Sequence, residues 1–133
     1  MALDLFSQFA TDENLENNGS WQDIGDGTRL LVARGGNRRY VKLLTKLVEQ
    51  NKRVLDLNDE AADAKSDDIM SQVLAETILL GWENVKYKGK DLPYSLENAK
   101  LVMGMKDFRK LVAKLADSED AYKFAEEQAQ GKA

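Results

Sequence analysis

The sequence contains no cysteine and no histidine, and each absence excludes a kind of chemistry. Without cysteine the chain has no disulfide bond and no thiolate ligand for a metal. Without histidine it lacks the side chain that most often acts as a general base, binds zinc or titrates near neutral pH. Catalysis would have to use carboxylate, amine or hydroxyl groups, and no paired arrangement of such groups stands out. We therefore expect a protein that is not an enzyme, with no catalytic residue, metal site or cofactor.

Long apolar runs are also missing. No window approaches the roughly 18 apolar residues that a membrane-spanning helix requires, and Met1–Phe6 lacks the basic start of a secretory signal. We expect a cytoplasmic protein that does not contact a membrane. The 133 residues suit a single domain over 1–133. Polar composition predicts a partly ordered arm over 1–19 and a frayed tail over 128–133.

Charge is distributed unevenly, although the formal net charge is only −4. Residues 1–33 hold six acids and one base, 34–53 hold seven bases and one acid, and 54–84 hold eight acids and one base. Residues 85–133 are closer to balance, with ten bases and eight acids. Such alternating blocks favour pairing within the molecule or self-association over the coating of a polyanion.

The first regular element that the pattern predicts is a β-hairpin. Arg29–Ala33 is the better strand, Trp21–Ile24 is its short partner, and Gly25–Gly27 supplies the positive-φ residues of a tight turn. Asp23 and Asp26 lie near these glycines without the spacing of a calcium-binding loop, so turn chemistry explains them better than metal binding.

A basic helix is predicted to begin after Asn37, its N-cap, and to run to about Arg53. Its apolar face consists of Tyr40, Val41, Leu44, Leu47 and Val48. Its other face carries our candidate partner-binding residues, which are Arg38, Arg39, Lys42 and Lys46. A basic helix can bind nucleic acid, but no aromatic side chains interleave these charges and the whole chain is acidic. Contact with a protein partner or with another copy of the chain is the preferred interpretation.

The stretch Asp67–Trp82 is predicted to form the main part of a central helix. The apolar residues that share its stripe are Ile69, Met70, Val73, Leu74 and Ile78. Asn58 or Asp59 would cap this helix, which would end at Leu80 or Gly81. A bend at 66–68 is compatible with the pattern. Its acidic side chains indicate a charged face rather than a carboxylate metal site.

These elements predict the fold class, which is mainly α (α+β). A small N-terminal β-hairpin is followed by four or five helices packed around the central helix.

A turn, an extended loop and a capped helix follow. Lys88–Lys90 forms the turn, Pro93 keeps its predecessor extended, and Ser95 is the N-cap. The expected buried face of this helix consists of Leu96, Ala99 and Met103, and Gly104 ends it. The last segment would be capped by Asp107 and broken near 117–120. Its apolar positions are Phe108, Leu111, Val112, Leu115, Tyr122, Phe124 and Ala125.

The order of these features resembles a known family. The residues that carry the resemblance are Gly81–Val85, Gly89, Leu92–Ser95, Glu97–Ala99, Leu101 and Phe108, preceded by Val32–Asn37 and Tyr40. Together they resemble the tail assembly chaperones of long-tailed bacteriophages. The family has a proline before the aromatic residue where this chain has Met105–Phe108. We expect structural roles, mainly burial, for the family-like positions Trp82, Leu92, Tyr94, Ser95 and Phe108.

The resemblance implies a function in viral morphogenesis. Such chaperones bind the tape measure protein in the host cell cytoplasm, keep it soluble, help to recruit tail tube subunits and are absent from the mature virion. The alternative is a helical head-to-tail connector of the phage particle. The implied partners are the tape measure protein, the major tail tube protein and further copies of the chain, and neither nucleic acid nor a membrane.

Overall fold

The computed structural model describes residues 2–124, so the tail expected at 128–133 and the apolar position Ala125 lie outside it. The helices are α1 Leu5–Phe9, α2 Glu13–Asn18, α3 Arg38–Gln50, α4 Lys52–Asp56, α5 Glu60–Thr77, α6 Leu96–Met103 and α7 Lys106–Ala116. The strands are β1 Ser20–Gly25, β2 Thr28–Val32, β3 Leu79–Glu83, β4 Lys86–Tyr87 and β5 Lys90–Asp91, and Asp120–Tyr122 forms a 3-10 turn.

The predicted hairpin is confirmed. Strands β1 and β2 pair antiparallel, with Trp21 opposite Leu31 and Gly25 opposite Thr28. Gly25, Asp26 and Gly27 all have positive φ angles of 101°, 56° and 78°, so the turn needs its two glycines. The Asp23 carboxylate accepts a hydrogen bond from the Gly25 N–H at 2.9 Å, which gives this aspartate the turn role expected of it.

Strand β3 was not predicted, and the expected end of the central helix at Leu80 or Gly81 is wrong. Helix α5 ends at Thr77, and the apolar run after it pairs antiparallel with β2 to complete a sheet of order β1-β2-β3. Gly81 therefore lies in a strand, opposite Leu31. A short apolar run fits a buried strand as well as a helix, and here the free edge of β2 decides between them.

Helix α5 is the central helix and is unbroken across 66–68. Asp59 caps it by accepting the Ala62 N–H at 3.1 Å. The side chains that it buries are Ala62, Ile69, Val73, Leu74, Ala75 and Thr77. Helices α3, α4, α6 and α7 and strand β3 all contact it. The predicted α+β class, with a hairpin followed by helices around one central helix, is confirmed.

The basic helix ends earlier than its predicted limit at Arg53. Helix α3 stops at Gln50, and Asn51 interrupts it by donating from its side-chain amide to the Leu47 carbonyl at 2.7 Å. The chain then continues as the separate short helix α4. Asparagine favours such a break because its side chain competes for backbone hydrogen bonds.

The C-terminal helices match the prediction in part. Ser95 caps α6 and Gly104 ends it, as expected. Leu96 is 46% exposed, however, and Val102 is buried in its place beside Ala99 and Met103. Helix α7 begins two residues earlier than expected, so Met105 occupies the N-cap and Asp107 lies inside the first turn. The assignment of Asp107 as the cap is therefore wrong.

The two ends of the described chain contact each other. The Asp12 N–H donates to the Tyr122 carbonyl at 2.8 Å, and the Phe6 ring stacks on Phe124 with centroids 5.7 Å apart. The Lys123 ammonium donates to the Gln8 carbonyl at 2.7 Å. These contacts hold α1 and α2 near the 3-10 turn and leave most of the apolar surface of α1 exposed.

Candidate functional site

The candidate basic residues all lie on α3, which begins at a well-formed cap. The Asn37 side-chain oxygen accepts the Tyr40 N–H at 3.0 Å, and its amide donates to the Arg34 carbonyl at 2.8 Å. This cap orients the helix where it leaves the hairpin. The four basic side chains follow within its first nine residues.

Three of the four candidates share one groove. Arg39, Lys42 and Lys46 line an open groove of about 600 Å³ between α3 and the C-terminal end of α5. Its apolar floor includes Leu43, and its far wall consists of Glu76 and Thr77. Arg39 anchors this groove by donating to the Glu76 carbonyl at 3.0 Å.

The fourth candidate, Arg38, lines a different cleft. This cleft of about 550 Å³ also contains Arg39 and is bounded by Glu13, Glu16 and Arg34. Because both acidic and basic side chains line this cleft, its electrostatic potential is not of one sign. The groove beside Lys42 and Lys46 is the more basic of the two.

Helix α3 contributes no fully buried side chain, although its apolar and basic residues are cleanly separated. Leu44 and Leu47 are half-buried, whereas Val41 and Val48 are 51% and 41% exposed. The two valines are seven residues apart and therefore lie on the same side of the helix. Helix α3 thus presents an uncovered apolar strip on the flank opposite its basic groove, since each residue advances the helix by about 100°.

The family-like aromatic residues form a corner that joins β3 to the loop before α6. The Trp82 indole N–H donates to the Leu92 carbonyl at 2.7 Å, and its ring meets Tyr94 edge to face with centroids 5.0 Å apart. The Tyr94 hydroxyl donates to the Leu79 carbonyl at 3.1 Å. Burial raises the pKa of the Tyr94 phenol, and the positive charge of Arg39 partly offsets that rise. This corner therefore lies close to the basic groove.

Phe108 and Ser95 occupy separate places around this corner. Phe108 is half-buried against the core and lines a small apolar pocket described below. The Ser95 hydroxyl oxygen accepts the Asn98 N–H at 3.0 Å and caps α6. Each family-like position thus has a visible structural contact.

A polar cluster around Tyr122 was missed by sequence reasoning. The fully buried Tyr122 hydroxyl donates to the Val32 carbonyl at 3.0 Å and accepts from the Gln22 amide at 3.4 Å. Arg34 lies over its ring at 5.7 Å and pairs with Glu16 at 3.0 Å. No sequence signal could have found this cluster, because its members come from distant parts of the chain.

Arg109 forms a second unpredicted junction. Its guanidinium donates to the Ser71 hydroxyl at 2.9 Å and to the Met103 carbonyl at 3.1 Å, and it lies 3.6 Å from the Asp67 carboxylate. It therefore links α5, α6 and α7. Asp67, one of the acidic side chains on the predicted charged face of α5, is thus an ion-pair partner of Arg109.

Within residues 2–124, no three acidic side chains converge closely enough to hold a metal ion. Over the same range, no helix combines the length and the apolar character needed to cross a bilayer.

Comparison with known proteins supplies the family. No curated protein and no solved structure matches the chain. The model of a protein family described as the YdaY prophage protein matches residues 35–133, which include α3 and everything that follows it. The matched region contains the central helix, the aromatic corner and the basic groove. The chain therefore belongs to the YdaY prophage protein family.

Proposed function

We propose that this prophage protein is a tail assembly chaperone. In this role it binds the tape measure protein in the host cell cytoplasm, keeps it soluble, and helps to recruit tail tube subunits. It leaves before the virion is mature and performs no catalysis. The family match supplies the assignment to the YdaY prophage proteins, and the role in tail assembly is our proposal.

The observation that carries this proposal is the exposed surface of α3. The helix buries none of its side chains fully. It leaves Val41 and Val48 exposed on one flank and lines the groove with Arg39, Lys42 and Lys46 on the other. An apolar strip in contact with water does not stabilise a monomer. A partner helix laid along α3 would cover the valines, and acidic groups of the partner would pair with the exposed basic side chains of the helix.

A tape measure protein suits this surface because it is long, helical and apolar on one side. Such a stripe aggregates unless another protein covers it. Several copies of a small helical protein, bound along the stripe, would shield it. The resemblance of the aromatic corner to tail assembly chaperones points to the same class of partner.

Self-association would help neighbouring copies to cover a long partner. Within residues 2–124, none of the four basic side chains of α3 forms an ion pair. The first half of α5 exposes Glu60 and Asp63, which form no ion pair within the same residues. Charged side chains that form no ion pair within one molecule remain available to pair with those of another copy.

The test is co-expression of the full chain with a tape measure protein from the same prophage. The wild-type chain is expected to keep the tape measure protein in the soluble fraction and to co-purify with it. The double variant Arg39→Glu/Lys42→Glu should fold normally and lose most of this co-purification. The control Lys110→Glu/Lys114→Glu makes the same change in charge on exposed positions of α7 and should behave as the wild type. Equal co-purification of all three proteins would refute the role of α3.

The connector and the chaperone differ in whether the protein is part of the finished particle. A connector remains in the particle, whereas a chaperone does not. Mass spectrometry of purified virions is expected to find no peptide of this chain beside the structural proteins. Its presence at a fixed ratio to those proteins would favour the connector and contradict the chaperone.

A further inference from the structure

A second pocket lies beside the β4–β5 hairpin and shares no lining residue with the groove of α3. A pocket of about 240 Å³ opens between this hairpin, β3, α6 and α7. Its apolar lining includes Ile24, Trp82, Val85, Tyr87 and Phe108. An apolar cavity of about 150 Å³ already holds a benzene ring. The pocket is therefore large enough to accept one aromatic or branched aliphatic side chain.

The polar groups of this pocket identify the kind of chain that would enter it. The Thr28 hydroxyl already donates to the Asn84 carbonyl at 2.6 Å. Lys86 is the charged residue of the lining. Asp91 lies directly opposite it in the β4–β5 ladder, but the two form no ion pair within residues 2–124. The charge of Lys86 makes the rim basic while the interior stays apolar.

Two more lysines strengthen this positive rim. The Lys88 ammonium lies 5.6 Å from the centre of the Tyr87 ring, which is itself part of the lining. Lys90 is directly opposite Tyr87 in the β4–β5 ladder. Both lysines are exposed, and neither has an ion-pair partner among the described residues.

We propose that this pocket binds a peptide segment in which one large apolar side chain is flanked by carboxylates. The apolar side chain enters between Trp82 and Phe108, and the carboxylates pair with Lys86, Lys88 and Lys90. Met105, which is 42% exposed, lies in the lining and would be covered by the bound segment. The site is separate from the groove of α3 and does not depend on the tape measure role.

The probe is a short synthetic peptide with a central phenylalanine between glutamates, titrated into the full-length protein. Trp82 reports binding through its fluorescence once the exposed Trp21 has been replaced by phenylalanine. We expect saturable binding at low salt. A lysine-flanked peptide should bind at least about tenfold more weakly, since several charge pairs are reversed. A peptide with a central alanine should give no saturable signal.

The variant Met105→Asp separates loss of binding from loss of fold. Met105 is the N-cap of α7 and makes no side-chain capping hydrogen bond, and aspartate is among the best N-caps. The variant should therefore unfold at no lower temperature than the wild type. A carboxylate in the apolar lining should nevertheless abolish binding of the acidic peptide.

Charge variants give the matched comparison. Lys86→Glu/Lys88→Glu should weaken binding of the acidic peptide by at least about tenfold. Lys42→Glu/Lys46→Glu makes the same change in charge at the α3 groove and should leave peptide binding unchanged. Failure of the wild type to bind, equal binding of acidic and basic peptides, or wild-type affinity in Met105→Asp would each overturn the proposal. These results are independent of co-purification with the tape measure protein, so the two proposals can fail separately.

Discussion

The phenol of Tyr122 joins parts of the chain that are distant in sequence. It donates to Val32 on β2, accepts from Gln22 on β1, and lies under Arg34. Its side chain has no exposed surface, and every polar atom on it has a partner. A buried hydroxyl with two partners specifies one arrangement, because any other leaves polar groups unpaired. Tyr122 thereby holds the end of the described chain against the hairpin.

This burial should make the folded protein less stable as the pH rises above about 10. Burial raises the pKa of Tyr122 from 10.0 to about 12, against smaller lowering effects of Gln22 and Arg34. Between these values the unfolded chain loses the phenol proton and the folded protein keeps it, so the free energy of unfolding falls as pH rises. The loss should reach about 2–3 kcal/mol by about pH 12. Urea unfolding across this range measures it.

Tyr122→Phe is the control for the pH prediction. At neutral pH it should cost about 1 kcal/mol, because the hydrogen bond to the Val32 carbonyl is lost. Above about pH 10 its stability should fall less steeply than that of the wild type. Parallel decline of the two proteins would mean that another group causes the pH dependence.

Helix α3 differs from α5 in how firmly it is attached. Helix α5 buries six side chains, whereas α3 buries none. Opening α3 exposes little additional apolar surface, and local opening of such an element requires less free energy than global unfolding. This weak attachment suits the contact with a partner that we propose for α3.

The amides of α3 should therefore exchange with solvent more readily than those of α5. Asn37→Ala removes the cap of α3. It should lower the free energy of local opening of α3 by about 1 kcal/mol and that of global unfolding by the same amount, because both openings break the cap. Native-state hydrogen exchange read residue by residue measures both. Ser95→Ala removes the cap of α6, which buries Ala99, Val102 and Met103. It should lower the free energy of global unfolding and leave the local opening of α3 unchanged. A loss of protection in α3 that follows Ser95→Ala would show that α3 opens only with the whole fold.

Across the whole molecule, the alternating charge blocks form few ion pairs with each other among residues 2–124. The cations of α3 form no ion pair within residues 2–124, and most acids in the first half of α5 are exposed. The ion pairs that do form, such as Arg34–Glu16 and Arg29–Glu83, fasten the hairpin to its neighbours. The unused charges are suited to contacts between copies.

Self-association through these surfaces should weaken with salt. Raising the ionic strength from about 0.05 M to about 0.5 M shortens the screening length severalfold and should shift the protein towards monomer in sedimentation velocity. Lys42→Glu/Lys46→Glu and Glu60→Lys/Asp63→Lys should each reduce association alone. Mixing the two variants should restore it, because opposite charges face each other again. Association that is independent of salt and of both variants would rule out charge pairing as its cause.

Local chemistry was sufficient to predict much of this protein from sequence. The hairpin turn follows from Gly25 and Gly27, and the starts of three helices follow from Asn37, Asp59 and Ser95, because each feature depends on neighbours within a few residues. The position of α5 at the centre follows from its apolar stripe. The sequence predicted the basic candidate residues of α3. It did not predict that Arg38 lines a different cleft from Lys42 and Lys46.

Only tertiary structure decided the remainder. The run after Thr77 could have continued as a helix, and it is a strand because the edge of β2 supplies its hydrogen bonds. The contacts of Tyr122 and Arg109 join residues far apart in sequence, so no local pattern encodes them. The lysine-rimmed pocket exists because β3, a hairpin and two helices meet around Trp82. Propensity and capping act over one or two turns, whereas strand pairing and cavities depend on which distant segments pack together.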